Sequence, residues 1–183
     1  MCSSDLIDFS LNKNWSNPNG AKTSGNGFAN IDLEPLKKGE YISNYLVAKN
    51  FGFTGLIGDV DGITVSISRY ASDNSIKDYK VFLSTNGCTD TVGEDQSKNP
   101  AWGSIDENNP ETETYGADDD NWGTSLTIND INNNSNFAVC YAVFNNAANS
   151  NTQAFIDHIT VTVTTSTLNG SSSETGYVGT IAD

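Results

Sequence analysis

The single histidine, His158, follows directly on Asp157 in FIDHITVTVTTS, the segment from Phe155 to Ser166. A histidine beside a carboxylate is the pairing that general-base catalysis uses. Such a base needs a nucleophile or a substrate pocket, and no serine here lies in a G-x-S-x-G elbow. His158 also has outward parity in the strand its neighbours imply, so it reads as a surface or packing residue. Carboxylate pairs arise by chance in a chain with 23 Asp and Glu. Glycoside hydrolysis needs two of them at a defined separation across a cleft, and no two stand out. No catalytic residue is assigned.

Calcium would suit Asp118-Asp119-Asp120-Asn121 or Asp59-x-Asp61-Gly62, which cluster hard oxygens. Neither continues as an EF-hand loop, so both read as solvated acidic loops, and no metal or other cofactor is expected. The three cysteines, Cys2, Cys88 and Cys140, lack a metal-ligand spacing. Cys140, in FAVCYAVF, reads as a small buried apolar residue; Cys88, in TNGCTD, reads as free or paired. Their odd number argues against a disulfide framework and for folding in a reducing compartment. Trp102, Tyr115 and Trp122 share one long loop. They could cover the end of a fold, anchor an interface, where Trp and Tyr are favoured, or stack on a sugar. Inward packing ranks first, interface second, sugar third.

Arg69 is the only arginine in the chain, and its position says more than its type. It ends a run in which Ile63, Val65 and Ile67 alternate with Thr64, Ser66 and Ser68. A second run alternates Ile159, Val161 and Val163 with Thr160, Thr162 and Thr164. Period-two alternation of this kind describes half-buried strands, apolar inward and hydroxylated outward. Arg69 and Asp157 both fall in the apolar register. An inward charge needs a partner, because an unpaired buried charge is too costly to keep. The expectation is an internal ion pair of Arg69 with Asp157 or Asp78, a structural feature.

The elements that position these groups are short. Strands are expected to start near Tyr45, Ile63, Tyr79, Phe137 and Phe155, with a weaker one over Leu6–Leu11. A polar loop spans 86–124, and LTINDINNNSNF reads as a helical turn or bend. With 183 residues, 16 Gly and 4 Pro, this spacing predicts an all-β chain: a single antiparallel β-sandwich, jelly-roll-like, with long polar loops. The domain reading is an N-terminal arm over 1–14, the sandwich over 15–165 and a flexible tail over 166–183. Residues 1–12 have neither the basic start nor the apolar run of a targeting segment, and no stretch reaches membrane-spanning length. The formal net charge of −14 repels nucleic acid and anionic lipid, so neither is an expected partner.

Several short motifs occur in a fixed order: W-x-N-P (Trp15 to Pro18), N-Y-L-x-A-x-N-F-G-F (Asn44 to Phe53), G-I-x-V-x-I-x-R (Gly62 to Arg69) and I-K-D-x-x-V-x-L (Ile76 to Leu83). Y-G-x-x-x-D-x-W-G (Tyr115 to Gly123), D-I-N-x-x-x-x-N-F-x-V (Asp130 to Val139) and D-H-I-x-V-x-V (Asp157 to Val163) follow. This order resembles a recurrent β-sandwich domain of structural proteins in tailed bacteriophages and other large double-stranded DNA viruses, similar modules of which occur in bacterial surface proteins. The resemblance covers residues 15–165, and the acidic stretch at 104–121 is longer than the family's loop. It implies a non-enzymatic virion structural protein, a capsid decoration (cement or head-fibre) subunit on the outer shell. The partners implied are capsid or other virion proteins, and the assembly implied is a homotrimer at three-fold positions. The alternative is a glycan-binding host-attachment module of a tail fibre or surface adhesin.

Overall fold

A computed structural model describes residues 13–34, 41–133, 135–147 and 149–182. Its strands are β1 (Ala29–Leu33), β2 (Leu46–Lys49), β3 (Asp59–Ala71), β4 (Ile76–Ser84), β5 (Glu111–Tyr115), β6 (Ala138–Asn145), β7 (Thr152–Thr167), β8 (Gly170–Tyr177) and β9 (Thr180–Ala182), and α1 (Ile128–Asn132) lies between β5 and β6. One sheet runs β1-β7-β3-β5, with β8 also paired to β7; the other runs β4-β6-β2-β9. Every strand pairing is antiparallel, and the two sheets pack face to face as the expected β-sandwich.

The alternation read from the sequence sets the two faces of the larger sheet. Ile63, Val65 and Ile67 on β3 and Ile159, Val161 and Val163 on β7 are fully buried. They meet Leu46, Val81, Leu83, Val139, Tyr141 and Val143 of the second sheet in one core. β6 is buried on both faces along nearly its whole length, which is why its sequence shows no alternation. α1 begins with a capping box, Thr127 Oγ1 accepting from the Asp130 N–H while the Asp130 carboxylate accepts from the Thr127 N–H. The Thr127 hydroxyl, donating to Asp130 Oδ2 at 2.7 Å, and then the Thr127 N–H hold the Asp130 carboxyl below its ordinary value.

Three residues are squeezed out of the ladder register as bulges. The β3–β7 pairing steps from Val60–Thr165 to Gly62–Thr164 and from Ser68–His158 to Arg69–Ile156, and β4–β6 steps from Asp78–Val143 to Lys80–Ala142. Asp61, Asp157 and Tyr79 are the extra residues. A bulge re-aims a side chain and bends the strand. Beside the first bulge, a Cβ on Gly62 would lie 2.3 Å from the Asp118 carbonyl carbon, so only glycine lets the acidic loop close onto β3.

Two expectations are corrected. The stretch read as a flexible tail, 166–183, holds the end of β7 and two strands: β8 extends the first sheet and β9 closes the edge of the second. Its Ser and Gly content hid a register in which Ser171, Ser173 and Thr175 pair with Ser166, Thr164 and Thr162. Cys88 and Cys140 form a disulfide, with Cα atoms 5.8 Å apart at a sequence separation of 52. Their pairing overturns the inference from an odd cysteine count. It is local geometry that brings them together: Ser84 Oγ accepts from the Cys88 N–H (2.9 Å), folding the loop after β4 over β6. Leu6–Leu11, most of the 1–14 arm and Cys2 lie outside the described residues.

Candidate functional site

β3 and β5 on one sheet and β4 and β6 on the other bring their inward side chains together at one side of the sandwich. Arg69, at the β3–β7 bulge, donates from Nη1 to Asp78 Oδ1 at 2.5 Å, joining the two sheets. Its Nε reaches Glu111 Oε1 (3.0 Å) and its Nη2 reaches Glu113 Oε2 (3.3 Å), both on β5. Nη1 also donates to the phenol oxygens of Tyr141 (2.8 Å) and Tyr115. Those phenols donate in turn to Asp78, Tyr141 to Oδ1 at 2.7 Å and Tyr115 to Oδ2 at 2.8 Å. Trp102 Nε1–H (3.1 Å) and the Lys98 N–H (3.1 Å) complete the carboxylate. The Arg69 Cζ lies 4.7 Å from the centre of the Trp102 ring, which stacks on Tyr141.

Each guanidinium nitrogen of Arg69 and both oxygens of Asp78 have protein partners, which is the condition under which a buried ion pair is tolerated. Arg69 and Asp78 are 2% and 5% exposed. Burial pulls the Arg69 guanidinium down, and Tyr141, Tyr115 and Asp78 more than reverse it, so it stays charged. Burial first, then Tyr141 and Asp78, push the Tyr115 phenol far above its ordinary value, and burial does the same to Tyr141. The chemistry this arrangement performs is cross-linking of one sheet to the other.

An alkaline limit follows. A phenol whose folded pKa lies above the unfolded value of 10.0 contributes stability that is fully present below pH 10. That stability is lost above pH 10, because the unfolded chain then releases protons the folded chain retains. Each of these two tyrosines is expected to lower stability by about 1.4 kcal/mol per pH unit above that point. Phenolate absorbance followed against pH should therefore show a cooperative step coinciding with loss of β-sheet ellipticity. Smooth titration of all seven tyrosines near pH 10 without unfolding would contradict the burial of the pair.

Of the residues singled out from sequence, Arg69 and Asp78 come together as expected. Asp157 does not join them. As the bulged residue of β7 it is turned aside, where Oδ1 accepts from the Gly25 N–H (3.0 Å) and Oδ2 pairs with His158 Nδ1 (2.8 Å). Trp102, Tyr115 and Trp122 are 1%, 1% and 0% exposed, so the inward reading holds for all three and none offers a face to a sugar or a partner. Trp122 donates from Nε1 to Ile63 O at 2.7 Å. Asp120 is engaged by the Trp122 N–H (2.7 Å) and the Gln96 amide (3.1 Å), while Asp118 and Asp119 are exposed. Glu111, Glu113 and Tyr141 were not read as members of the site. The alternation of Glu111, Glu113 and Tyr115 with Thr112 and Thr114 was the available signal, masked by the acidity of the loop around it.

The opposite face of the larger sheet is of another character. Thr114, Ser66 and Thr160 lie side by side across β5, β3 and β7; Thr64, Thr162 and Thr175 form the next row across β3, β7 and β8; Thr164 and Ser173 continue it. These positions carry hydroxyls and no charge, in a chain with a net charge of −14. At one end the face dips into a shallow depression of about 680 Å³ bordered by Asp61, Asp118, Asp119 and Ser171. No protein-family model, curated protein or solved structure matches this chain.

Proposed function

We propose that this protein is a non-enzymatic structural protein of a viral particle, a decoration subunit that binds the outer capsid shell by shape. The observation that carries the reading is the engagement of Arg69, Asp78, Glu111, Glu113, Tyr115 and Tyr141 in one inter-sheet network. Groups that elsewhere bind or transform a ligand are here employed in keeping the sandwich rigid. A rigid body loses little conformational freedom when it docks, which favours association through surface complementarity. The uncharged hydroxyl face suits contact with a lattice, and the net charge of −14 keeps particles dispersed. A position against packaged DNA is disfavoured by the same charge.

The motif order of residues 15–165 supports the viral setting. In it, the subunit bridges neighbouring capsid proteins as a homotrimer at three-fold or quasi-three-fold sites. The glycan-binding alternative loses its stacking platform, since Trp102, Tyr115 and Trp122 are buried. Antibody labelling of intact particles tests the placement. Label distributed over the head surface is the expected result; label confined to the tail tip, or reached only after the shell is opened, contradicts it.

A further inference from the structure

We propose that the free edge of β8 is a docking site for an extended, basic segment of a partner protein, which adds to the larger sheet as a further strand. The inference deepens the proposed function, on which it rests for placing the partner in the capsid lattice.

Backbone direction along β8 is set by one hydrogen bond. The Tyr177 N–H donates to Phe51 O at 3.1 Å, on the side away from β7. In an antiparallel ladder residues two apart share a direction, so Ser171, Ser173 and Thr175 also turn their N–H and C=O groups away from β7. Among the described residues β8 pairs with β7 alone.

Among the described residues the other edges are covered or short. Val92 N–H, Gln96 N–H and Trp102 N–H donate to carbonyls of β4, and the Ser16 and Asn30 backbones exchange hydrogen bonds along β1. Lys98 Nζ caps Thr114 O on β5 at 2.7 Å, and β9 is three residues long. Over residues 170–173 β8 lacks the features that blunt an edge, while residues 51–55 flank its other end, where Tyr177 meets Phe51. It contains no Lys and no Pro, its register with β7 is unbroken, and residues 170–173 are all exposed. Its one charge, Glu174, is turned back onto the Thr54 N–H (3.0 Å) and Gly55 N–H (2.9 Å).

An exposed, unblunted edge recruits strands. What selects the occupant is charge: Asp61, Asp118 and Asp119 border the depression that Ser171 also lines. A strand laid along β8 with Lys or Arg on the hydroxyl-bearing face directs positive charge along that face toward these carboxylates, which lie beyond β8 and β7. A second copy of this chain would bring its own carboxylates to the same place.

The test uses the full chain and a ten-residue peptide of alternating Lys and Thr, with an alternating Glu and Thr peptide as comparison. Amide hydrogen exchange at Ser171, Ser173 and Thr175 is expected to slow at least tenfold with the basic peptide and to be unchanged with the acidic one. Ser173→Pro removes an outward N–H without touching the β7 ladder, so it should abolish that protection while Tm stays within a few degrees. Ser172→Pro, which deletes a ladder bond, should lower Tm as well. No slowing at these three amides, equal slowing with both peptides, or unchanged binding in Ser173→Pro overturns the proposal. So does self-association that Ser173→Pro removes, which would make the occupant a second copy. On purified shells, a Ser173→Pro chain that binds as well as the parent overturns the docking site and leaves the proposed function standing. A parent chain that fails on shells yet is protected by the basic peptide does the reverse.

Discussion

Replacing Arg69 with Ala is expected to destabilise the protein by roughly 3–5 kcal/mol, the cost of leaving its buried partner unpaired. Asp78 has no solvent exposure at its side chain and could not regain water without opening the sandwich between β4 and β5. For a domain of this size the loss corresponds to a fall in Tm on the order of 10 °C. The glutamates would be spared, since Glu111 and Glu113 are about a quarter exposed. Replacing Asp78 with Leu as well should not recover the loss, because the Tyr115 and Tyr141 hydroxyls, the Trp102 Nε1–H and the Lys98 N–H then lose their acceptor. Thermal and urea unfolding of both variants check this. A single variant within 1 kcal/mol of the parent, or a double variant restored to the parent's stability, would show that the network contributes little.

Reduction of the Cys88–Cys140 bridge is expected to have an effect of similar size. The bridge closes a loop of 52 residues, for which the chain-entropy account gives about 4 kcal/mol. The loop includes β5 and the covering segment around Trp102, so its loss should also loosen the side where Arg69 and Asp78 meet. Unfolding measured with and without a thiol reductant, and in Cys88→Ala, should show the same loss. Equal stability in all three would mean that packing alone holds the loop on β6.

The fold was largely legible because its core strands obey period two and carry β-branched side chains, as in Ile63–Ile67 and Ile159–Val163. Arg69 was legible for the same reason, a charge standing in an apolar register. Asp157 stood in that register too, and the β-bulge that turns it toward Gly25 and His158 leaves no mark in composition or alternation. β8 was illegible because Gly, Ser and Thr can line a strand whose hydroxyls pair sideways, as Thr162 and Thr175 do at 2.8 Å. Tyr141 sits in a run buried on both faces, where nothing in the sequence separates a phenol that packs from one that bonds a carboxylate. The disulfide joins a turn residue with φ of 66° at Cys88 to the middle of a strand, a proximity created only when the loop folds back.

We propose that the rigid sandwich stabilises an assembled shell by binding it. Purified protein added to preformed, expanded shells lacking it tests this most directly, with the rupture temperature read by light scattering or calorimetry. The expected result is a rise that grows with added protein and saturates, following RT ln(1 + [L]/Kd) for a partner that binds only the assembled lattice. No binding is expected to unexpanded shells, whose subunits have not reached their final spacing. Shells that rupture at the same temperature with and without the protein, while free protein blocks adsorption of particles to host cells, would contradict it and assign the chain to host attachment.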